Sequence, residues 1–174
     1  MPQALETSGS TGTTADFLPL NGTDHVEFYV GNARQSAYYY RSAFGMRLTA
    51  YRGPETGTRD RVSYVLEQGK IRFVLTTPLR AGTPAAAHIQ KHGDGVKAIA
   101  LEVDDAEAAW RETTKRGAQS VQEPAVDRDE HGEVRTSSIA VYGDTIHTFV
   151  ERKAYHGTFF PGYVATPNDG LARP

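Results

Sequence analysis

The sequence predicts an α+β fold: two paired βαβββ modules forming one curved mixed sheet with helices on its outer face. Three observations predict it. Thr23–Val30 alternates apolar Val26, Phe28 and Val30 against His25, Glu27 and Tyr29, the period of a half-buried strand. Behind it, Ala33, Ala37, Tyr40 and Phe44 share one helical face between Asn32, a good N-cap, and Gly45, suited to the position past a helix end. The same order then returns: with Val30 set on Val103, Asn32 falls on Asp105, Ala33 on Ala106 and Val26 on Ile99, and Gly45 lies within one residue of Gly117.

Met46–Arg52 reads as the second strand, GPETGT (Gly53–Thr58) as a loop, and Asp60–Glu67 and Lys70–Thr77 as a hairpin turning at Gln68-Gly69. Pro78, Gly82 and Pro84 break the pattern before a short helix over Ala85–Lys91, and HGDG (His92–Gly95) is a turn. The second module opens with Val96–Val103. Asp104 with Glu107 resembles a capping box for a helix that places Ala106, Ala109, Trp110 and Thr113 on one face. A short strand at Gln119–Val121, broken by Pro124, precedes Glu133–Tyr142 and Asp144–Arg152, which turn at Gly143-Asp144. Two such modules give eight strands. The Ser/Thr/Gly-rich residues 1–16 read as a disordered lead-in, residues 17–162 as the folded domain with modules at about 22–78 and 95–153, and residues 163–174 as a linker-like tail.

Composition narrows the function classes. A net charge of −2 makes no electrostatic case for nucleic acid or an acidic membrane surface, and no apolar run approaches the length of a membrane span. The chain has no cysteine, so it has no disulfide, thiolate metal site or Cys nucleophile, and the expected compartment is the cytoplasm.

The modular pattern resembles the vicinal oxygen chelate (glyoxalase/bleomycin-resistance/dioxygenase) superfamily. More narrowly, VGNARQSAYYYRSAFGM, AYRGPETGTRD, LEQGKIRFVLTTP, KHGDGVKAIALEV and YGDTIHTFVERKAYHGTFFPGY resemble the N-terminal half of the 4-hydroxyphenylpyruvate dioxygenases, from about Gly22 to Tyr163. Hydroxymandelate synthases are similar over the same region. The resemblance implies a whole enzyme that uses Fe(II) and O2 to make homogentisate from 4-hydroxyphenylpyruvate in tyrosine catabolism. It also implies that the iron, held by two His and one Glu, sits in the C-terminal half, so the expected partner is that catalytic half, with a homo-oligomer as a further expectation.

Module homology maps the three ligand positions of such a site onto His25, Ala98 and Phe149. Only His25 is a donor, whereas a facial iron site needs two imidazoles and a carboxylate, so no metal, cofactor or catalytic residue is expected in this chain and 174 residues alone are expected to be inactive. The substitutes weighed are His147, with Glu151, on the face of the last strand taken to be concave, and Glu27 or Glu102 beside His25. His88 and His92, spaced i, i+4, read as an exposed pair, His131 as part of a polar turn, and DRDEHGE (Asp127–Glu133) as a solvated hairpin loop. A second copy would add another His25 and no obvious carboxylate. The alternative function is a stand-alone, metal-free module binding a small apolar ligand, with Phe149, Ala98 and Tyr29 lining its concavity. The aromatic tail (Tyr155, Phe159, Phe160 and Tyr163) is expected either on the chain's own sheet or against a missing half or another subunit.

Overall fold

A computed structural model describes residues 16–166. The first module runs β1 (Gly22–Tyr29), α1 (Ala33–Phe44), β2 (Arg47–Arg52), β3 (Arg61–Gln68) and β4 (Ile71–Pro78). After α2 (Pro84–His92), the second runs β5 (Gly95–Glu102), α3 (Ala106–Lys115), β6 (Ser120–Asp129), β7 (Gly132–Ala140) and β8 (Ile146–Glu151), followed by a two-residue β9 (Val164–Ala165). All nine strands form one sheet in the order β6-β7-β8-β5-β1-β4-β3-β2-β9. The first strands of the two modules, β1 and β5, pair antiparallel at its centre, and each pairs in parallel with the last strand of its own module. The expected paired modules are therefore present, with a ninth strand added.

The caps explain where the helices begin. Asn32 is extended and its side chain accepts the Gln35 N–H at 3.0 Å, while Gly45 adopts the left-handed conformation (φ 71°) that ends α1. Small Ala33 and Ala37 let α1 approach the sheet and pack with Val30, Met46, Leu66 and Leu75. Phe44 is not under the helix as the periodicity implies; it is exposed and meets the rings of Tyr39 and Tyr40. Across the repeat, Val103, Ala106, Ala109, Ile139 and Phe149 form the matching core beneath α3.

Four local expectations are corrected. Asp105, not Asp104, caps α3, accepting the N–H groups of Glu107 and Ala108; Asp104 stands one residue too early to reach them and binds Lys153 and Asn21 instead. Strand β6 does not stop at Pro124: it is an edge strand with register shifts between Ser120 and Ala125, so a residue without an N–H costs little in the ladder. The hairpin loop after β3 is Gly69-Lys70, with Gly69 (φ 58°) at its first central position. The segment read as a linker carries β9, which pairs with Ala50 and Tyr51 of β2, and Thr166 bonds to Thr49 and Leu48. Most of the lead-in (1–15) and residues 167–174 lie outside the described residues.

Asn32→Ala is expected to destabilise the chain by about 1 kcal/mol, seen as a lower urea midpoint at an unchanged slope. Asp105→Ala should behave alike, and Asp104→Ala should cost less than half as much.

Candidate functional site

Helices α1 and α3 cover the outer face of the sheet; the chemistry-capable groups gather on the inner, concave one. Their placement begins with an irregularity in β1. Thr23 pairs with Leu101 and His25 with the next residue of β5, Ala100, so Asp24 is the extra residue of a β-bulge. Asp24 and His25 thereby both meet the inner-face network, and both are buried. The carboxylate of Asp24 bonds His25 Nδ1 at 2.7 Å and faces the guanidinium groups of Arg152 at 3.1 Å and Arg72 at 3.5 Å. Burial is the strongest single influence on Asp24 and opposes its ionisation. The His25 hydrogen bond and charge, with the charges of Arg152 and Arg72, outweigh it together and hold the carboxyl below its ordinary value.

The ring of His25 does not look into open space. The chain leaving β8 folds back across the concave face as a strap, starting at a bridge between Gly132 and Tyr155 that leaves no room for a Cβ at Gly132. Phe159 packs on Ala50, Val65 and Val74, and Tyr155 on Ala100, Val134 and Val150. His25 meets Phe159 and Phe160 edge-on, with centroids 5.3 and 5.7 Å apart. Arg72 and Arg152 stand 5.5 and 5.4 Å from the Phe159 centroid, and Arg152 also donates to the Phe159 carbonyl. Of the two placements expected for the aromatic tail, the structure has the one on the chain's own sheet. Beyond the strap, Thr76 donates to Glu27 at 2.8 Å and bonds Ser63. Burial foremost, then Glu27, push Tyr163 up to about 12.

The three mapped ligand positions do not converge. Ala98 pairs with Glu27 on β1 and is buried, but Phe149 lies on the outer face beneath α3. The parallel ladder fixes this: Ala100, on the inner face opposite His25, pairs with Thr148, so Phe149 pairs with Leu101 and points the other way. His147 and Glu151 share the parity of Phe149 and are likewise outward. His147 Nδ1 lies 3.4 Å from the Ile99 carbonyl, and Glu151 accepts the Ala106 N–H at the start of α3. Neither joins His25, contrary to the expectation that they face the concavity. A pocket lined jointly by Phe149, Ala98 and Tyr29 is excluded for the same reason. The rings of His88 and His92 are neighbours, with centroids 4.7 Å apart and planes tilted by 48°, and His92 bonds Asp144, which also takes Lys91. His131 stands in the exposed turn of the β6–β7 hairpin. Among the described residues no three metal-capable side chains cluster. One imidazole tied to a buried carboxylate and walled by two phenyl rings does not fit an iron site needing three convergent donors.

Asp24, Arg72 and Arg152 were not anticipated from the sequence. The available signal was local: Thr-Asp-His gives consecutive polar residues where strict alternation demands one.

The family model of the Glyoxalase/Bleomycin resistance protein/Dioxygenase superfamily matches residues 22–145. The chain belongs to this superfamily. Within it, the chain is 42% identical over 178 aligned residues to 4-hydroxyphenylpyruvate dioxygenase of Aspergillus fumigatus, covering 93% of this chain and 44% of that protein. It is 47% identical over 146 to the enzyme of the same name from Dictyostelium discoideum, covering 83% and 40%. The chain thus spans about two-fifths of the length of the curated relatives it matches. Among solved structures, a mutant of 4-hydroxymandelate synthase from Streptomyces coelicolor superposes with a TM-score of 0.75 at 26% identity, over 86% of this chain and 43% of that one. Methylmalonyl-CoA epimerase from Mycobacterium tuberculosis, at 20% identity and a TM-score of 0.62, shares the superfamily fold over 79% of this chain and 92% of its own.

Two outcomes are expected of this superfamily member's buried cluster. Because the folded Asp24 carboxyl titrates below its ordinary 3.8, its stabilising contribution is complete above that value and is lost as pH falls through the lower, folded one. Asp24→Asn should therefore flatten the loss of stability with acid below pH 3.8 in urea titrations at a series of pH values. Arg152→Met, which leaves Asp24 only His25 and Arg72, should cost about 3 kcal/mol at neutral pH.

Proposed function

We propose that this chain is the N-terminal, metal-free half of a 4-hydroxyphenylpyruvate dioxygenase, serving as scaffold for a catalytic half that carries the Fe(II) site. The observation that supports this most is the identity of 42–47% to several proteins of that name, extending over most of this chain but only about two-fifths of theirs. The donor geometry agrees with it, since the mapped ligand positions offer one imidazole, one methyl group and one outward-facing phenyl ring. The whole protein would use Fe(II) and O2 to convert 4-hydroxyphenylpyruvate to homogentisate, in the cytoplasm, within tyrosine catabolism. No step of that reaction is assigned to residues of this chain. Their part is mechanical: the strap carries the backbone from β8 across the concave face to the β2 edge, where Thr166 is bonded to Leu48 and Thr49.

A hydroxymandelate synthase is the second reading, favoured by the structural match at a TM-score of 0.75 but set back by an identity of only 26%. A stand-alone binding module is set back by the strap, whose Phe159 packs on Ala50, Val65 and Val74 of the concave face.

The test is an assay with 4-hydroxyphenylpyruvate, Fe(II) and O2, following homogentisate and hydroxymandelate by chromatography. The protein joined to the remainder that its relatives possess should form homogentisate, and the 174-residue chain alone should form neither product. Turnover by the chain alone overturns the metal-free assignment; hydroxymandelate from the longer protein overturns the dioxygenase reading.

A further inference from the structure

Phe159 and Phe160 lie as a stacked pair, with centroids 4.5 Å apart and planes 12° from parallel, and Phe159 is only 2% exposed. Their surroundings are those a separate aromatic ligand would need. The His25 imidazole meets both rings edge-on, and the guanidinium groups of Arg72 and Arg152 lie within cation–π distance of Phe159. Val65 and Val74 floor the site. Imidazole edges and guanidinium groups favour a π-system over an aliphatic group of the same size. Charge is balanced within the site: Asp24 faces both arginines and Glu67 pairs with Arg72 at 2.6 Å. A carboxylate entering there would find two anions already in place.

We propose that the concave face is a binding cup for a planar, uncharged aromatic group, and that Phe159 is its built-in occupant, closing the cup to outside ligands for as long as the strap holds. This does not rest on the dioxygenase reading, since it concerns a cup with no metal-ligand set. It makes the strap an intramolecular ligand as well as a connection. The latch is the Arg152 group, which touches Asp24 on β1 and the ring and carbonyl of Phe159 on the strap.

The experiment is cavity rescue in the 174-residue chain. Phe159→Ala, and separately Phe160→Ala, are melted without additive and with equal concentrations of phenol, cyclohexanol or benzoate. Phe159→Ala should lower the melting temperature by about 10 °C. Phenol at ten times its dissociation constant should restore about 3–5 °C, saturably. Cyclohexanol and benzoate should restore less than half of that, and the unaltered chain should shift with none of the three. If Phe159→Ala does not fold unaided, its refolding yield with and without each additive gives the same comparison, as does the melting of Phe160→Ala, whose half-buried ring leaves a smaller gap. Equal rescue by phenol and cyclohexanol, the absence of saturable rescue, or a phenol shift in the unaltered chain as large as in the variants overturns the proposal.

Discussion

A single buried carboxylate ties the two ends of the fold together. Asp24 stands at the start of the central strand, and the groups it holds come from β1, β4 and the residue just past β8. A carboxylate so far from water is costly unless partnered, so His25, Arg72 and Arg152 are each fixed in place by it. All three partners in turn touch the strap at Phe159. The inner face is therefore organised by one charge that the bulge in β1 turns inward, and the aromatic packing of Phe159 follows from where its arginines stand.

This arrangement separates the chain from a metal-binding cup made of the same strands. A facial iron site needs three donors converging from different strands, with space left for substrate and oxygen. Here the one imidazole at a mapped position is turned to a carboxylate, and a phenyl ring stands where space would be. A donor is missing at the mapped mid-strand position of β8 for a geometric reason as well as a chemical one, since Phe149 belongs to the core of α3 on the other side of the sheet.

Much of the architecture is legible in the sequence. The Asn32 and Gly45 caps, the alternation of β1 and the superposition of Val26 on Ile99 carried the modular fold, because local chemistry and tertiary packing agree at those positions. The facing of strand β8 is hidden in the sequence for a definite reason. It is buried from outside by α3 and from inside by the strap, so Phe149 and Val150 are both fully enclosed and alternation cannot tell its faces apart. The Asp24 bulge shifted the count by one without a Gly or Pro to mark it. The partners Arg72 and Arg152 lie 48 and 128 positions from Asp24, a separation no local pattern spans.

The edges of the sheet bear on how the molecule meets its neighbours. At one end, β6 is exposed along almost its whole length, yet it carries Pro124, two register shifts and the charges of Glu123, Asp127, Arg128 and Asp129. A copy lying antiparallel on that edge and centred on Ala125 would set Glu123 against Asp127 and would find no N–H at Pro124. At the other end, part of β2 is already covered by β9, drawn from the same chain. Among the described residues, both edges of the nine-stranded sheet thus carry features that disfavour growth by strand addition.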